Sequence, residues 1–205
     1  MPNSWVKIAG ISIHIKIGAT RMSVFWAALG VLAIGLAMPP AGDVQLAPKI
    51  AEQPGFTVIG ISARTTNANE MSGKGVIGQM WGRFMNEGLL SKIPDKVDSN
   101  VLAVYADYES DANGAYTFLL GAKVSSADNV PTGMVAKQIA AARYAVFTSE
   151  KGPVDKVVPE TWSHIWALPK SAPGGSRAYQ ADFELYDERA TDPQNSQVDV
   201  YVGIK

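Results

Sequence analysis

An internal repeat constrains the fold of this chain more than any other feature of its sequence. Residues 56–64 alternate and are rich in β-branched side chains, which predicts a strand. Apolar residues recur at helical spacing over 76–85, which predicts an amphipathic helix. Two further strands, 101–109 and 115–124, lie on either side of an Asn113-Gly114 pair that is typical of a hairpin. The order strand, helix, strand, strand then occurs a second time.

The second unit follows the same order with a longer loop before its last strand. It contains a strand over 143–148, a helix with Val158, Trp162, Ile165 and Trp166 on one face and Pro159 in its first turn, and strands over 177–187 and 198–204. Segments 103–109 and 181–187 also match in register, with alanine first, an aromatic residue third, tyrosine sixth and an acid seventh. The repeat predicts an α+β fold in which duplicated β-α-β-β units form a pseudo-two-fold antiparallel sheet with two helices.

Strand alternation predicts which side chains line a groove between the two halves. The apolar face of each strand is expected to meet a helix, so the opposite face is left for the groove. The set expected to face the helix is Ala181, Phe183 and Leu185, and the set expected to face the groove is Asp182, Glu184 and Tyr186, with Val104, Ala106 and Tyr108 in the matched strand. In an enclosed groove the Glu184 carboxylate would need a cation, a donor or a proton, and tyrosine rings attract organic cations. An ordinary solvated strand face is the alternative.

The N-terminal residues have the layout of an export segment. Residues 22–38 form an uninterrupted apolar run of seventeen residues that follows three basic residues. At about 1.5 Å rise per residue the run spans roughly 25 Å. This length is compatible with a cleaved signal and with an uncleaved anchoring helix. Either Met1 or Met22 is compatible with translation initiation. The sequence predicts a leader over 1–42, a linker over 43–54 and a domain over 55–205, in a protein that is periplasmic or anchored to the inner membrane.

Composition excludes several classes of site. The chain has no cysteine and two histidines, which excludes thiolate chemistry, disulfides and histidine-rich metal centres. Of its 18 basic and 19 acidic residues, three basic and no acidic ones precede residue 43, so the remainder has a net charge of −4. The G-x-G-x-x-G string at 73–78 does not directly follow a strand, as a dinucleotide loop would, and its glycines suit the start of a helix. We expect no cofactor, no metal and no nucleic-acid partner.

Six short motifs occur in order along the predicted domain. They are E-x-P-x-F-x-V-I-G at 52–60, V-Y-x-D-Y-E-S-D at 104–111, N-G-x-Y at 113–116, P-x-G-M at 131–134, W-x-x-I-W at 162–166 and D-F-E-x-Y-D at 182–187. Together they resemble the GyrI-like, AraC-type effector-binding family and its integron-cassette members. The resemblance implies an SHS2-like fold and a drug- or metabolite-binding pocket whose acid is Glu184. Further candidate ligand-binding residues, by position, are Tyr186, Tyr108, Tyr105, Trp81 and Trp162, although the tryptophans also suit a packing role at helical spacing.

The sequence therefore predicts a protein that senses or sequesters a small amphipathic, cationic or aromatic molecule. Family members often carry a helix-turn-helix where this chain has its apolar leader, so we expect no DNA-binding domain. The resemblance also implies an alternative, a hydrolase of strained or electrophilic molecules, in which Glu184 would be the general base and Tyr186 its positioning partner. Because no nucleophile or metal motif accompanies them, we expect a binding protein and assign no catalytic residue. A module that signals to a protein partner at the membrane is a third interpretation.

Overall fold

The computed structural model describes residues 48–169 and 174–205, together with the backbone of two short N-terminal strands. These strands, β1 (Val6–Ile8) and β2 (Ile11–Ile13), pair as an antiparallel hairpin. The apolar run 22–38 lies outside the described residues. Within the described residues, no helix has both the length and the apolar character needed to cross a membrane.

The described elements reproduce both predicted repeat units and add elements that the pattern did not predict. In chain order the strands are β3 (Lys49–Gln53), β4 (Phe56–Thr65), β5 (Val101–Ala106), β6 (Tyr116–Val124), β7 (Val135–Ile139), β8 (Ala142–Thr148), β9 (Ala181–Tyr186) and β10 (Asp199–Ile204). The helices are α1 (Asn67–Met71), α2 (Ile77–Asn86), α3 (Leu89–Lys92) and α4 (Val154–Ala167), with a 3-10 turn at Glu188–Ala190. The first repeat is thus β4-α2-β5-β6 and the second is β8-α4-β9-β10. The predicted α+β duplication is confirmed.

The eight strands from β3 to β10 form one antiparallel sheet in the order β3-β8-β10-β9-β5-β6-β4-β7. The two repeats meet at the centre, where β5 pairs with β9 and Ala103 lies opposite Glu184. On either side of this pair the strands follow in equivalent order, which gives the sheet its pseudo-two-fold arrangement. The centre of the sheet is therefore the place where both halves contribute side chains to one site.

Each half lends an edge strand to the other. β3 pairs with β8 of the second repeat, yet only two residues separate it from β4, which lies near the opposite edge. Likewise β7 pairs with β4 but precedes β8 by two residues. Such short connections require the sheet to curl until its edges approach each other. The predicted linker 43–54 was wrong over residues 49–53, because that segment is the edge strand β3.

Two layers of side chains cover the two faces of the curled sheet. The face that carries Phe183 is buried in a cluster with Phe56, Val104 and Tyr144, drawn from strands at both ends of the sheet, and this cluster contains no helical residue. Helices α2 and α4 pack on the other face, against Ile59 and Phe118 in one half and Phe147 and Val200 in the other. The expectation that Ala181, Phe183 and Leu185 meet a helix was therefore wrong. The curled sheet has an apolar interior of its own, and the helices cover the face that carries Glu184.

Two local features correct the predicted boundaries. β5 ends at Ala106 because Asp107 takes a left-handed conformation with φ of 50°, which breaks the alternation before Tyr108. Helix α4 begins at Val154, directly after Pro153, so Pro159 lies inside the helix and not in its first turn. The predicted positions of the two helices are otherwise confirmed.

The polar segment after β4 forms the short helix α1, which supplies the cap of α2. The Glu70 carboxylate accepts the backbone N–H groups of Val76 at 2.9 Å and Ile77 at 3.3 Å. A Cβ at Gly75 would lie 1.9 Å from this carboxylate, so glycine is required there. The glycines of the 73–78 string thus allow the chain to begin helix α2. The N-terminal N–H groups of this helix already bind the Glu70 carboxylate.

Candidate functional site

Glu184 is the centre of the candidate site. It lies in β9, next to the pseudo-two-fold axis, and its side chain is 2% exposed. The indole N–H of Trp162 in α4 donates to its Oε1 at 2.6 Å, and the Tyr105 hydroxyl in β5 donates to the same oxygen at 2.7 Å. The Tyr186 hydroxyl donates to Oε2 at 2.7 Å. Both halves of the chain thus bind one carboxylate through three neutral aromatic donors.

Aromatic rings surround this carboxylate on the helix side of the sheet. Trp81 of α2 meets Tyr186 edge to face, with ring centroids 4.8 Å apart. Tyr105 meets Trp162 edge to face at 5.3 Å, and Trp162 is followed by Trp166 at 6.0 Å. Trp166 is 46% exposed, so the aromatic surface continues from the buried acid to the outside of α4. The site therefore lies between the two helices and is built from rings of both.

No lysine or arginine of the described residues forms a salt bridge with Glu184. Burial raises the pKa of Glu184, and the hydrogen bonds from Trp162, Tyr186 and Tyr105 lower it by less than burial raises it. Burial and the neighbouring carboxylate raise the pKa of both tyrosines well above the usual value, so they stay protonated and act as donors. The acid is thus hydrogen-bonded but lacks a countercharge, which is costly for an ionised group in the protein interior.

A second buried acid, Asp182, lies two residues before Glu184 and is fully buried. Unlike Glu184, it has a cation: it forms a salt bridge with the guanidinium of Arg177. It also accepts the Tyr108 hydroxyl at 2.7 Å and the backbone N–H of Gly203 at 2.8 Å. The Arg177 guanidinium lies 4.4 Å from the ring centroid of Tyr179 and 5.9 Å from that of Trp162.

The six residues selected from the sequence all lie on the helix side of the sheet, in two neighbouring groups. Tyr105, Trp162 and Tyr186 bind Glu184 directly, and Trp81 packs against Tyr186. Tyr108 instead binds Asp182. The predicted register was wrong for Val104 and Ala106, which lie in the apolar interior of the curled sheet, and it placed Tyr108 on the correct face.

Arg177 and Tyr179 were missed although the predicted strand 177–187 contains both. Alternation within that strand would place them on the face opposite Glu184, whereas the observed strand β9 begins only at Ala181 and both residues precede it. A basic residue five positions before an acid in the predicted strand was the available signal. Burial alone lowers the pKa of Arg177, but the adjacent Asp182 carboxylate more than offsets this effect and the net pKa is raised. Arg177 is thus a permanent cation beside the aromatic group.

Sequence comparison relates residues 49–204 to a known family. They match the family model of the integron-associated effector binding protein, Cass2. The putative transcriptional regulator protein YobU of Bacillus subtilis is 37% identical over 147 residues, which are 71% of this chain and 90% of YobU. The transcriptional regulator BrlR of Pseudomonas aeruginosa is 33% identical over 158 residues, which are 76% of this chain and 54% of BrlR. This chain therefore spans about half the length of BrlR.

Solved structures show the same fold. An integron cassette protein from the mobile metagenome of Vibrio cholerae superposes with a TM-score of 0.61 and 28% identity, covering 78% of this chain and 96% of that protein. SAV2435, solved bound to tetraphenylphosphonium, superposes with a TM-score of 0.64 and 16% identity, covering 77% and 93% of the two chains. The chain belongs to the integron-associated effector-binding proteins, a GyrI-like family of small-molecule-binding domains.

Proposed function

We propose that this protein binds a small amphipathic organic cation beside Glu184, between helices α2 and α4. The observation that carries the proposal is the charge of the site: a buried carboxylate is bound by three neutral donors and has no cation of its own among the described residues. A bound cation would supply the missing countercharge, and the rings of Trp162, Tyr105 and Tyr186 would each attract it by about 0.5–2 kcal/mol when desolvated.

The similarity to SAV2435 supports this choice of ligand class. That protein has been solved with tetraphenylphosphonium, a single positive charge enclosed by four aromatic rings. A lipophilic cation of this kind matches the two parts of the present site, which are one acid and a wall of aromatic side chains. The role that follows is sensing or sequestration of such a molecule.

The ligand must displace protein side chains to reach the carboxylate, because Glu184 is 2% exposed and the chain's own rings cover it. Tyr105 and Tyr186 belong to the central strands, whereas Trp81 and Trp162 belong to α2 and α4. We therefore expect the tryptophans to move, since helices packed on a sheet shift more readily than its central, hydrogen-bonded strands. Opening would separate α2 from α4 above Glu184.

The test is a titration of the full chain with tetraphenylphosphonium, followed by tryptophan fluorescence and by calorimetry. Wild-type protein should show quenching, and Glu184→Gln should weaken binding by about tenfold or more, equivalent to about 1.4 kcal/mol. Glu160→Gln is the matched control, because it removes one charge from an exposed position on α4 that is 61% accessible. Neutral triphenylphosphine oxide should bind equally weakly to all three proteins. Equal affinity of wild-type and Glu184→Gln protein for the cation would refute the role of the acid.

Hydrolysis of an electrophilic small molecule is the second candidate. The observation that favours it is the raised pKa of Glu184, which makes its carboxylate a stronger base, with the Tyr186 hydroxyl 2.7 Å away. Incubation with a strained electrophile, followed by mass analysis, should show a product gaining one water that is absent with Glu184→Gln. If the electrophile is recovered unchanged, hydrolysis is refuted and binding is the remaining proposed function.

A further inference from the structure

Arg177 adds a positive charge to the candidate site, close to the Glu184 carboxylate, which has no salt-bridge partner among the described residues. Its guanidinium lies between the rings of Tyr179 and Trp162, at 4.4 and 5.9 Å from their centroids, and is paired with buried Asp182. The indole N–H of the same Trp162 donates to Glu184 at 2.6 Å. Glu184 and Arg177 thus both contact one indole ring, so a ligand that reaches Glu184 would also approach Arg177.

The backbone around Arg177 holds this charge in place. The N–H of Ala178 donates to the carbonyl of Gly203 at 2.7 Å, and the N–H of Lys205 donates to the carbonyl of Ser176 at 2.9 Å. Asp182 in turn accepts the N–H of Gly203 at 2.8 Å. The backbone on both sides of Arg177 is thus hydrogen-bonded to β10 or to the residue that follows it, and the salt bridge to Asp182 holds the guanidinium beside the site.

We propose that Arg177 restricts the site to ligands that carry one positive charge. This inference rests on the proposed function and specifies its ligand class. The groups around Trp162 are two carboxylates and one guanidinium, so the site has a net charge of −1 and one cationic centre neutralises it. A second cationic centre on the ligand would find the Asp182 carboxylate already neutralised by Arg177 and would gain no countercharge.

The expected size of this selection follows from Coulomb's law for charges separated by about the width of a small-molecule site. Two like charges on the order of 10 Å apart, at an effective dielectric constant of about 20, repel enough to change an equilibrium by about tenfold. Loss of the Arg177 charge should therefore favour a dication over a monocation by about tenfold relative to wild type.

The experiment compares hexyltrimethylammonium with hexamethylene bis(trimethylammonium), which share a headgroup and differ in the second charge. Calorimetry gives the ratio of the two dissociation constants for each protein. Wild type and Arg177→Lys should prefer the monocation, and Arg177→Gln should shift the ratio about tenfold toward the dication. A double variant, Arg177→Gln with Asp182→Asn, restores the net charge of −1 and should return the ratio to that of wild type.

The double variant separates charge from cavity size, because it keeps the enlarged space of the single variant. If both variants favour the dication equally, selection arises from space and the inference is wrong. If wild type binds the monocation in a Glu184-dependent manner but Arg177→Gln leaves the ratio unchanged, the proposed function stands and this inference alone fails. Wild-type protein that binds neither ammonium ion nor tetraphenylphosphonium would overturn both.

Discussion

Replacement of Glu184 by glutamine should make the ligand-free protein more stable while it weakens ligand binding. Glutamine can keep all three contacts, because its oxygen can accept from Trp162 and Tyr105 and its amide can donate to the Tyr186 oxygen. A hydrogen bond to a charged group contributes about 1.5–3 kcal/mol and a neutral one about 0.5–1.5 kcal/mol, so three bonds favour the ionised acid by about 3–5 kcal/mol. Burial of an unpaired charge costs several kcal/mol and outweighs these bonds, as the raised pKa of Glu184 indicates.

At pH 8 the free energy of unfolding of Glu184→Gln is expected to exceed that of wild type by about 1 kcal/mol. This corresponds to a melting temperature about 2–4 °C higher. The sign of the pH dependence follows from the raised pKa. The folded state binds the proton of Glu184 more tightly than the unfolded state, so wild type gains stability as pH falls through the folded-state pKa. The gain is complete below about 4.3, the ordinary value for glutamate, and the difference between the two proteins should vanish there.

Urea denaturation between pH 4 and pH 8 measures this difference directly, with Glu160→Gln as the exposed control. The control should follow the wild-type profile at every pH. A Glu184→Gln protein that is less stable than wild type at pH 8, or that is stabilised equally at pH 4 and pH 8, would contradict this prediction. Either result would mean that the three aromatic donors stabilise the charge more than burial opposes it.

Two further predictions concern the fold and the leader. Gly60→Ala should cost about 2 kcal/mol or more, because the new Cβ would lie 2.1 Å from the Leu120 carbonyl of β6, whereas Gly82→Ala, with no atom within 4 Å, should stabilise α2 by about 0.5–1 kcal/mol. Urea denaturation of both variants checks this, and equal effects would contradict it. We also propose that residues 22–38 direct export. A C-terminally tagged chain should then fractionate with the periplasm or inner membrane, and a variant without residues 22–38 should fractionate with the cytoplasm. Identical fractionation of the two proteins would refute the proposal.

The sequence pattern predicted the repeat and the acid, but it assigned the wrong neighbours to each strand face. Alternation correctly separated Phe183 from Glu184. It could not reveal that the sheet curls and buries Phe183 inside itself, because curling depends on where β3 and β7 pair. Because the interior of the sheet fills one face, the helices cover the other. Trp162 of α4 then supplies a donor to the acid, and Trp81 of α2 packs against Tyr186. The face of β9 that carries Glu184 was predicted to line a groove, and in the structure it packs against the helices.

Local backbone conformation accounts for a second group of errors. A strand continuing through Asp107 would have kept Tyr108 on the same side as Val104 and Ala106, but the left-handed Asp107 moves it to the side of Glu184. Arg177 similarly lies in a segment with left-handed Gly175 and Tyr179, where alternation has no meaning. Side-chain direction at such positions depends on contacts distant in sequence, which a single sequence does not display.

The exchange of edge strands makes the two repeats inseparable. Neither repeat completes its own half of the sheet, since β3 serves the second and β7 serves the first. Although the sequence looks like two copies of one module, a cut between them would leave each fragment with an unpaired edge and would separate Tyr105 from Glu184 and its other two donors. The two repeats thus form a single unit, and under the proposed function a ligand bound beside Glu184 would contact residues of both.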